Sequence, residues 1–296
     1  MKKITILTVS FRSGGLLNRL FNNIINKANY PDMLKFLVVD NTFGEDKDLK
    51  NHFRSTYDIR FLENNGVGLQ RSVSHSSALD LGLNNLETEF CLIIDPDVHI
   101  FQSGWDTFCI NAIKKEKKAV VGAPYPKWKL GKVHDFPSVI FMFFKTRQIK
   151  NLNKTFYPFP NILKRIINSA LRKITRLGTI ATKDRLSHNK RLMTFAQKLE
   201  KTLGVTSPDT GNQIIDCFRK EGYTAINFES KYCNELEPNV IKAFYTLAEE
   251  YELYFYDGDP ILTHMYGSGV FYWKTKRGAD LDFWNELIES IEKKLS

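Results

Sequence analysis

Short apolar runs alternate with helical patterns over the first hundred residues, and this alternation restricts the chain to few folds. The runs are four to six residues long and occupy positions 4–9, 36–39, 59–62 and 90–94. Apolar residues recur at helical spacing over 16–25, and a second helix is predicted from about 75 to 84, with Ser74 as its N-cap. Strands that are apolar throughout and alternate with helices form sheets covered on both faces. The pattern therefore predicts an α/β protein with a mainly parallel sheet flanked by helices.

The second half of the chain is less regular. Strands are predicted at 119–123 and 138–144, and the stretch 161–201 reads as mostly helical. A turn at 207–211 opens a further helix, and an amphipathic helix closes the chain over 281–295.

Composition excludes several classes of protein. The 296 residues are 43% hydrophobic and 25% charged, which excludes a disordered, collagen-like or coiled-coil chain. The four cysteines show neither Cys-x-x-Cys nor zinc-finger spacing, so we expect them to be reduced, as in a cytosol. No apolar run reaches the roughly 18 residues of a membrane span. Polar Ser10 and Arg12 cut the first apolar run short, which favours a strand over a signal peptide and predicts a cytoplasmic protein.

The net charge of +9 is concentrated in one segment. Residues 161–201 hold 11 basic residues and two acidic ones. Removing them from the 42 basic and 33 acidic residues of the chain leaves 31 of each, so the rest of the chain is neutral. Such a block indicates a polyanionic partner: a membrane surface, a nucleic acid or an acidic acceptor.

Part of this segment is also amphipathic. Apolar residues recur at helical spacing among the basic ones, at Leu163, Ile166, Ile167, Ala170, Leu171, Ile174 and Leu177. A basic amphipathic helix can lie in a membrane interface, with the inner face of a membrane as the expected place. The alternative is an ordinary helix that packs its stripe on the protein. We expect the stripe to pack on the protein and the charge to serve an anionic partner.

Two carboxylates follow the fourth apolar run directly, in Asp95-Pro96-Asp97. Carboxylates one residue apart at a strand end can converge on one hard cation, and Pro96 stiffens the link between them. Ligands of such sheets bind at the carboxyl ends of the strands, where a cation would hold a diphosphate. The alternative is a solvated turn, because Asp and Pro are common turn residues.

The order of four motifs resembles a nucleotide-sugar glycosyltransferase of the GT-A fold, and is most similar to the inverting family 2. The motifs are Thr8-Val9-Ser10-Phe11, Val38-Val39-Asp40-Asn41, Asn65-Gly66 and Ile93-Ile94-Asp95-Pro96-Asp97. The resemblance covers roughly residues 4–100, although the stretch from Asn65 to Asp95 is longer than the family's. It implies one GT-A-like domain over 1–296, with a nucleotide-binding half over 1–100. The acceptor half over 101–296 would contain a basic helical insertion at 161–201.

The resemblance also implies roles for residues of the first half. Thr8 and Ser10 would line the nucleotide pocket, and Asn65-Gly66 would let the backbone pass close to the nucleotide. Asp40 would accept a hydrogen bond from the base, or would be only a turn or capping aspartate. Asp95 would face the ribose and the metal, and Asp97 would bind the metal.

Further binding residues come from weaker similarities. Ser74-His75-Ser76-Ser77-Ala78-Leu79-Asp80 resembles a stretch in some family members, in which His75 would contact the donor; the alternative is a partly buried histidine. Arg71 could bind the diphosphate as a bidentate donor or be an exposed arginine. His264, before a Gly/Ser loop, resembles the family's late metal-binding histidine, and a nitrogen ligand suits Mn²⁺ at least as well as Mg²⁺. The alternative is a surface histidine.

Asp209 in Pro208-Asp209-Thr210-Gly211 resembles the carboxylate of the family's catalytic loop. Inverting transfer is a single displacement in which one carboxylate takes the proton of the acceptor hydroxyl. Asp209 could instead cap the helix that follows it. Asp135, in another loop after the metal motif, is the rival base.

The function expected is therefore metal-dependent transfer of a sugar from a nucleoside-diphosphate sugar to a glycan or lipid-linked acceptor. One alternative is a sugar nucleotidyltransferase, which needs a Gly-rich basic loop after the first strand; Arg12-Ser13-Gly14-Gly15 resembles it only slightly. Another is a non-catalytic protein that binds an anionic surface or a nucleic acid. No nucleic-acid partner is expected, because no nucleic-acid module matches and no aromatic residues interleave with the basic run.

Overall fold

The computed structural model describes residues 3–53, 57–159, 162–178, 180–238, 240–265 and 280–295, and for 162–165 only the backbone. The chain forms two compact units. The first unit comprises Met1–Ala123, Asp135–Pro160 and Asp209–Asn227, and the second comprises Pro124–His134, Asn161–Pro208 and Phe228–Ser296. The expected division into halves at residue 100 therefore does not coincide with the units, because later strands return to the first sheet.

The described elements are these, in chain order. The strands are β1 (Ile4–Ser10), β2 (Leu34–Asp40), β3 (Ile59–Glu63), β4 (Phe90–Ile94), β5 (Val98–Ile100), β6 (Ala119–Ala123), β7 (Phe141–Lys145), β8 (Thr224–Asn227), β9 (Glu229–Ser230), β10 (Glu252–Tyr256) and β11 (Asp259–His264). The α-helices are α1 (Gly14–Lys27), α2 (Arg71–Asn84), α3 (Trp105–Lys115), α4 (Thr146–Asn151), α5 (Ile162–Thr175), α6 (Lys183–His188), α7 (Lys190–Leu203), α8 (Asn212–Lys220), α9 (Lys242–Glu250) and α10 (Leu281–Leu295).

The first unit is built on a seven-stranded sheet in the order β3-β2-β1-β4-β7-β6-β8. The strands β3, β2, β1 and β4 are mutually parallel, β7 runs antiparallel to both of its neighbours, and β8 is parallel to β6. Every residue of β1, β4 and β6 is buried, as in sheets covered on both faces. The predicted fold class, a mainly parallel sheet flanked by helices, is confirmed.

Two predicted boundaries in this unit are wrong. The helix predicted from 75 begins at Arg71, so Ser74 is not its N-cap; Gln70 occupies that position without a side-chain cap. Ser74 instead lies inside the first turn and donates to the carbonyl of Gly66 at 3.0 Å. The strand predicted from 138 begins at Phe141, because Ser138 turns its N–H and hydroxyl to the Ala123 carbonyl.

The second unit contains an antiparallel arrangement of β9, β10 and β11, and the basic segment forms the helices α5, α6 and α7 as predicted. The apolar stripe of α5 does not pack as expected. Ile166, Ile167 and Ile174 are 63%, 57% and 52% exposed, whereas Leu177 packs against a buried cluster that includes Trp128. The side chains of Lys164 and Arg165 lie outside the described residues.

No described helix combines the length and the apolarity needed to cross a membrane. All four cysteines are free thiols, and Cys91 and Cys109 are buried.

Candidate active site at the carboxyl ends of the strands

The register of the parallel strands brings several predicted site residues to one edge of the first sheet. Ser10, the last residue of β1, pairs with Asp40, the last residue of β2. Leu7 pairs with Ile93, so Asp95 and Asp97 follow β4 at the level where β1 ends. This edge is where open α/β sheets bind their ligands.

Asp95 and Asp97 differ in exposure and in neighbours. The Asp95 side chain is 20% exposed, and its Oδ1 lies 3.8 Å from Nε2 of His75 on α2. Asp97 is buried, and its charge acts on the guanidinium of Arg19. Burial lowers the pKa of Arg19 to about 10, and the negative charge of Asp97 opposes that shift. The two carboxylates offer a donor set of hard oxygens that fits a divalent cation such as Mn²⁺ or Mg²⁺.

Asp209 is held against the helix that carries His75. Ser72 of α2 donates its hydroxyl to Asp209 Oδ1 at 2.6 Å, and the Thr210 N–H donates to the same oxygen at 2.9 Å. Ser72 and His75 are three residues apart, so they lie on the same side of the first turns of α2. Asp209 and Asp95 therefore both contact this end of α2.

Asp209 and Asp135, the two candidates for the base, differ in their hydrogen bonds. The N-cap of α8 is Gly211 and carries no side-chain cap, so the Asp209 side chain does not cap that helix. Asp135 instead receives Nη2 and Nε of Arg219 on its two oxygens, at 2.6 and 2.8 Å. These hydrogen bonds to Asp135 raise the pKa of Arg219. A carboxylate engaged on both oxygens by a guanidinium is a poor proton acceptor. The role of Asp209 as the base stays a prediction.

Asp40 is buried and orders the loop that follows β2. Its Oδ1 accepts from the N–H and the hydroxyl of Thr42, at 2.9 and 2.7 Å, and its Oδ2 accepts from the Gly44 N–H at 3.1 Å. These bonds show the turn role that was the alternative for this residue. A contact with a nucleotide base stays a prediction.

Gly66 is required by close packing within the protein. A Cβ at this position would lie 2.3 Å from both Asn41 Oδ1 and Ser74 Oγ. Asn41 donates to Ser74 Oγ at 2.7 Å, and Asn64 donates to Asn41 Oδ1 at 2.7 Å. The backbone at Gly66 therefore lies close to side chains of the protein, and a close approach to a nucleotide stays a prediction. Asn65 itself is exposed.

The three remaining residues of this unit that were predicted to contact the nucleotide differ in burial. Thr8 is fully buried, and its hydroxyl has no hydrogen-bond partner among the described residues. Ser10 is also fully buried and accepts from the Ser13 N–H at 3.4 Å in the turn into α1. Arg71 is exposed at the first residue of α2. Contacts of these three residues with a nucleotide stay predictions.

His264 ends β11 in the second unit and is buried, not on the surface. Its Nδ1 lies 2.6 Å from Oε2 of Glu252, whose Oε1 lies 2.8 Å from Nζ of Lys129. Burial works to raise the pKa of Glu252, but Lys129 and His264 hold it well below the usual range. A neutral imidazole that donates from Nδ1 keeps its lone pair on Nε2, the arrangement common in metal-binding histidines. The Gly/Ser loop at 266–269 lies outside the described residues.

Sequence reasoning missed the residues that support these groups. Asn41 and Ser74 belonged to the quoted motifs but were given no such supporting role. Arg19, Glu252 and Lys129 carry no local signal, because each meets its partner only through the fold.

No protein-family model and no curated protein matches the chain. Among solved structures it is similar to a mannosyltransferase from Pyrobaculum calidifontis in complex with GDP-Man and Mn²⁺. The identity is 16%, the TM-score is 0.41, and the match covers 52% of this chain and 47% of that one. It is also similar to S. aureus TarS 1–349 in complex with UDP-GlcNAc, at 15% identity and a TM-score of 0.38, over 53% of this chain and 48% of that one. The matched region thus spans about half the length of these proteins.

Proposed function

We propose that this protein is a glycosyltransferase that moves a sugar from a nucleoside-diphosphate sugar to an acceptor hydroxyl, with inversion by a single displacement. The observation that carries the proposal is the placement of Asp95 and Asp209 at the same end of α2, beside the carboxyl edge of the sheet. Inverting transfer needs a metal-binding carboxylate and a separate basic carboxylate close together.

Asp209 is the base of this reaction. Its carboxylate takes the proton of the acceptor hydroxyl while the acceptor oxygen bonds to the anomeric carbon. The bond from that carbon to the diphosphate oxygen breaks, and the electron pair leaves with the diphosphate. The bonds from Ser72 and Thr210 to Oδ1 orient the carboxylate for this task.

Asp95 and Asp97 would hold a divalent cation, Mn²⁺ or Mg²⁺, and the sequence resemblance adds His264 as a third ligand. A bound cation supplies charge stabilisation for the leaving diphosphate, so no protonated acid is needed there. His75, beside Asp95, would donate to a phosphate oxygen or to the ribose. Phe11 and Phe43, 55% and 63% exposed just beyond β1 and β2, offer aromatic faces for a base.

A sugar nucleotidyltransferase is a weaker alternative. Arg12, the basic residue of the loop after β1, lies 3.6 Å from Glu45. A Cβ on Gly14 would meet the ring of His52 at 2.2 Å, so this glycine serves packing. The proposed acceptor is a glycan or a lipid-linked molecule, which the protein would meet at an anionic membrane surface.

Calorimetric titration with UDP, GDP and dTDP, with and without Mn²⁺, tests the donor site. We expect one nucleotide to bind more tightly with Mn²⁺, and Asp97→Asn to lose at least about tenfold of that metal-dependent affinity. Asparagine is the better substitute than alanine, because it keeps polar volume beside the buried Arg19. Asp135→Asn, which removes a carboxylate that is paired with Arg219, is the matched control and should bind as the wild type does. If Mn²⁺ left the nucleotide affinity unchanged in the wild type and in both variants, the metal site would be refuted.

A further inference from the structure

Large apolar side chains are exposed in one short part of the second unit. Ile166, Ile167, Ile174, Ile180 and Phe195 are each more than half exposed, and all lie between residues 166 and 195. Single exposed apolar residues are ordinary on protein surfaces, but a concentration of them marks an interaction site.

Helix α5 exposes part of its apolar stripe, at Ile166, Ile167 and Ile174. Among the side chains of α5 that the structure describes, 166–175, the fully buried one is Thr175, whose hydroxyl lies 2.9 Å from that of Thr206. At 100° per residue, Ile166 and Ile174 lie about 100–180° around the helix from Thr175 and within about 80° of each other. The described part of the helix thus buries a threonine and leaves Ile166, Ile167 and Ile174 in solvent, whereas an amphipathic helix usually buries its apolar side chains.

Basic residues share these exposed faces. Lys173 lies seven residues after Ile166, two turns along the same side of α5. On α7, which packs beside α5, Arg191 and Lys198 lie four residues before and three after Phe195, and all are exposed. We call Ile166, Lys173, Ile174, Arg191, Phe195 and Lys198 the α5–α7 face.

Not every basic residue of the segment belongs to this face. Lys183 is buried, with Nζ bonded to the carbonyls of Ala248, Glu249 and Tyr251. The expectation that the whole block of charge serves a partner is therefore wrong for Lys183, which caps the end of α9.

We propose that the α5–α7 face docks on a membrane surface that contains anionic lipid. The isoleucines and Phe195 enter the boundary of the acyl chains, and Lys173, Arg191 and Lys198 bind the headgroup phosphates. Charge selects this occupant over a second copy of the chain, because two such faces would repel each other. Combined apolar and cationic side chains on one helix side are the pattern of interfacial binding. The docking does not depend on the proposed sugar transfer.

Co-sedimentation with vesicles of pure phosphatidylcholine, or with about 30% phosphatidylglycerol, tests the proposal at low and high salt. We expect binding to the anionic vesicles only, and release at high salt. Lys173→Gln/Arg191→Gln/Lys198→Gln should weaken binding about a hundredfold, from on the order of 1 kcal/mol for each residue near the surface. Lys114→Gln/Lys115→Gln/Lys117→Gln makes the same change of charge at exposed lysines of the first unit and should bind as the wild type does.

A second variant separates the apolar contribution. Ile166→Ser/Ile174→Ser/Phe195→Ser keeps the charge and should bind anionic vesicles several-fold more weakly, with an unchanged circular dichroism spectrum. Equal binding to neutral and anionic vesicles would overturn the proposal, as would equal losses in the face and control variants. A dimer seen by sedimentation velocity that this apolar variant abolishes would assign the face to a second copy instead. Calorimetric titration of the same variants with nucleotide tests the donor site separately. Unchanged nucleotide affinity together with weaker vesicle binding would assign the loss to the α5–α7 face alone.

Discussion

Replacing Glu252 by glutamine should destabilise the protein, because its carboxylate is fully buried and neutralises a buried lysine. Lys129 Nζ lies 2.8 Å from Glu252 Oε1, and the side chain of Lys129 is only 5% exposed. Removing one partner of a buried ion pair costs about 3–5 kcal/mol, since the other charge then stays buried without compensation. Glutamine keeps the volume and can still accept from Nδ1 of His264, so the loss isolates the charge.

The double variant Lys129→Met/Glu252→Gln provides the decisive comparison. It removes both charges, so its cost should fall short of the sum of the two single costs by about 2 kcal/mol or more. The free energy of unfolding in urea, followed by circular dichroism, measures each value. Glu221→Gln, which breaks the exposed contact with Lys118, is the control and should cost less than about 1 kcal/mol. Strict additivity of the two single costs would refute the reasoning that the charges compensate each other.

Three further outcomes follow from the site and its supports. Asp209→Asn should keep nucleotide affinity in calorimetry but lower kcat by about 10²–10⁴-fold, because an amide cannot take the acceptor proton; activity within a few-fold of wild type would exclude it as the base. Gly66→Ala should lower the free energy of unfolding by about 1–3 kcal/mol through overpacking, whereas Gly15→Ala, with nothing within 4 Å of its Cβ, should not; equal effects would contradict the packing argument. Burial lowers the pKa of Lys183 from 10.5 to about 8, so the unfolded state binds more protons between these pH values. The free energy of unfolding of the wild type relative to Lys183→Met should therefore rise by about 3 kcal/mol from pH 8 to 10.5. A difference in urea unfolding that does not change with pH would contradict the lowered pKa of Lys183.

The strands of the first hundred residues were predictable because their signal is local. Short runs rich in apolar residues define β1, β2, β3 and β4, and polar residues directly after them mark the ligand edge. The hairpin of β10 and β11 was missed although it also has a local signal. Asp257 and Gly258 connect the two strands with φ of 51° and 92°, the left-handed pair that a tight hairpin requires.

The roles of the site residues depended on contacts that sequence does not display. Residue type showed that Asp40, Asp135 and Asp209 could each accept hydrogen bonds. Only the fold showed that Asp40 orders its own loop, that Arg219 engages Asp135, and that Ser72 holds Asp209 beside α2. Arg219 and Ser72 are far in the chain from the carboxylates that they contact, so no spacing rule finds them, whereas the bonds of Asp40 form a local turn.

The basic segment, residues 161–201, shows most clearly what the sequence determines and what only the tertiary structure determines. Its composition and period determined by themselves that the segment is helical, cationic and striped with apolar residues. Tertiary contacts decided which of the described side chains of α5 are buried. Thr175 meets Thr206 on the buried side, and Ile166 and Ile174 lie in solvent. Helical periodicity describes the angles between side chains on one helix, whereas burial depends on the surface that the rest of the chain presents to it.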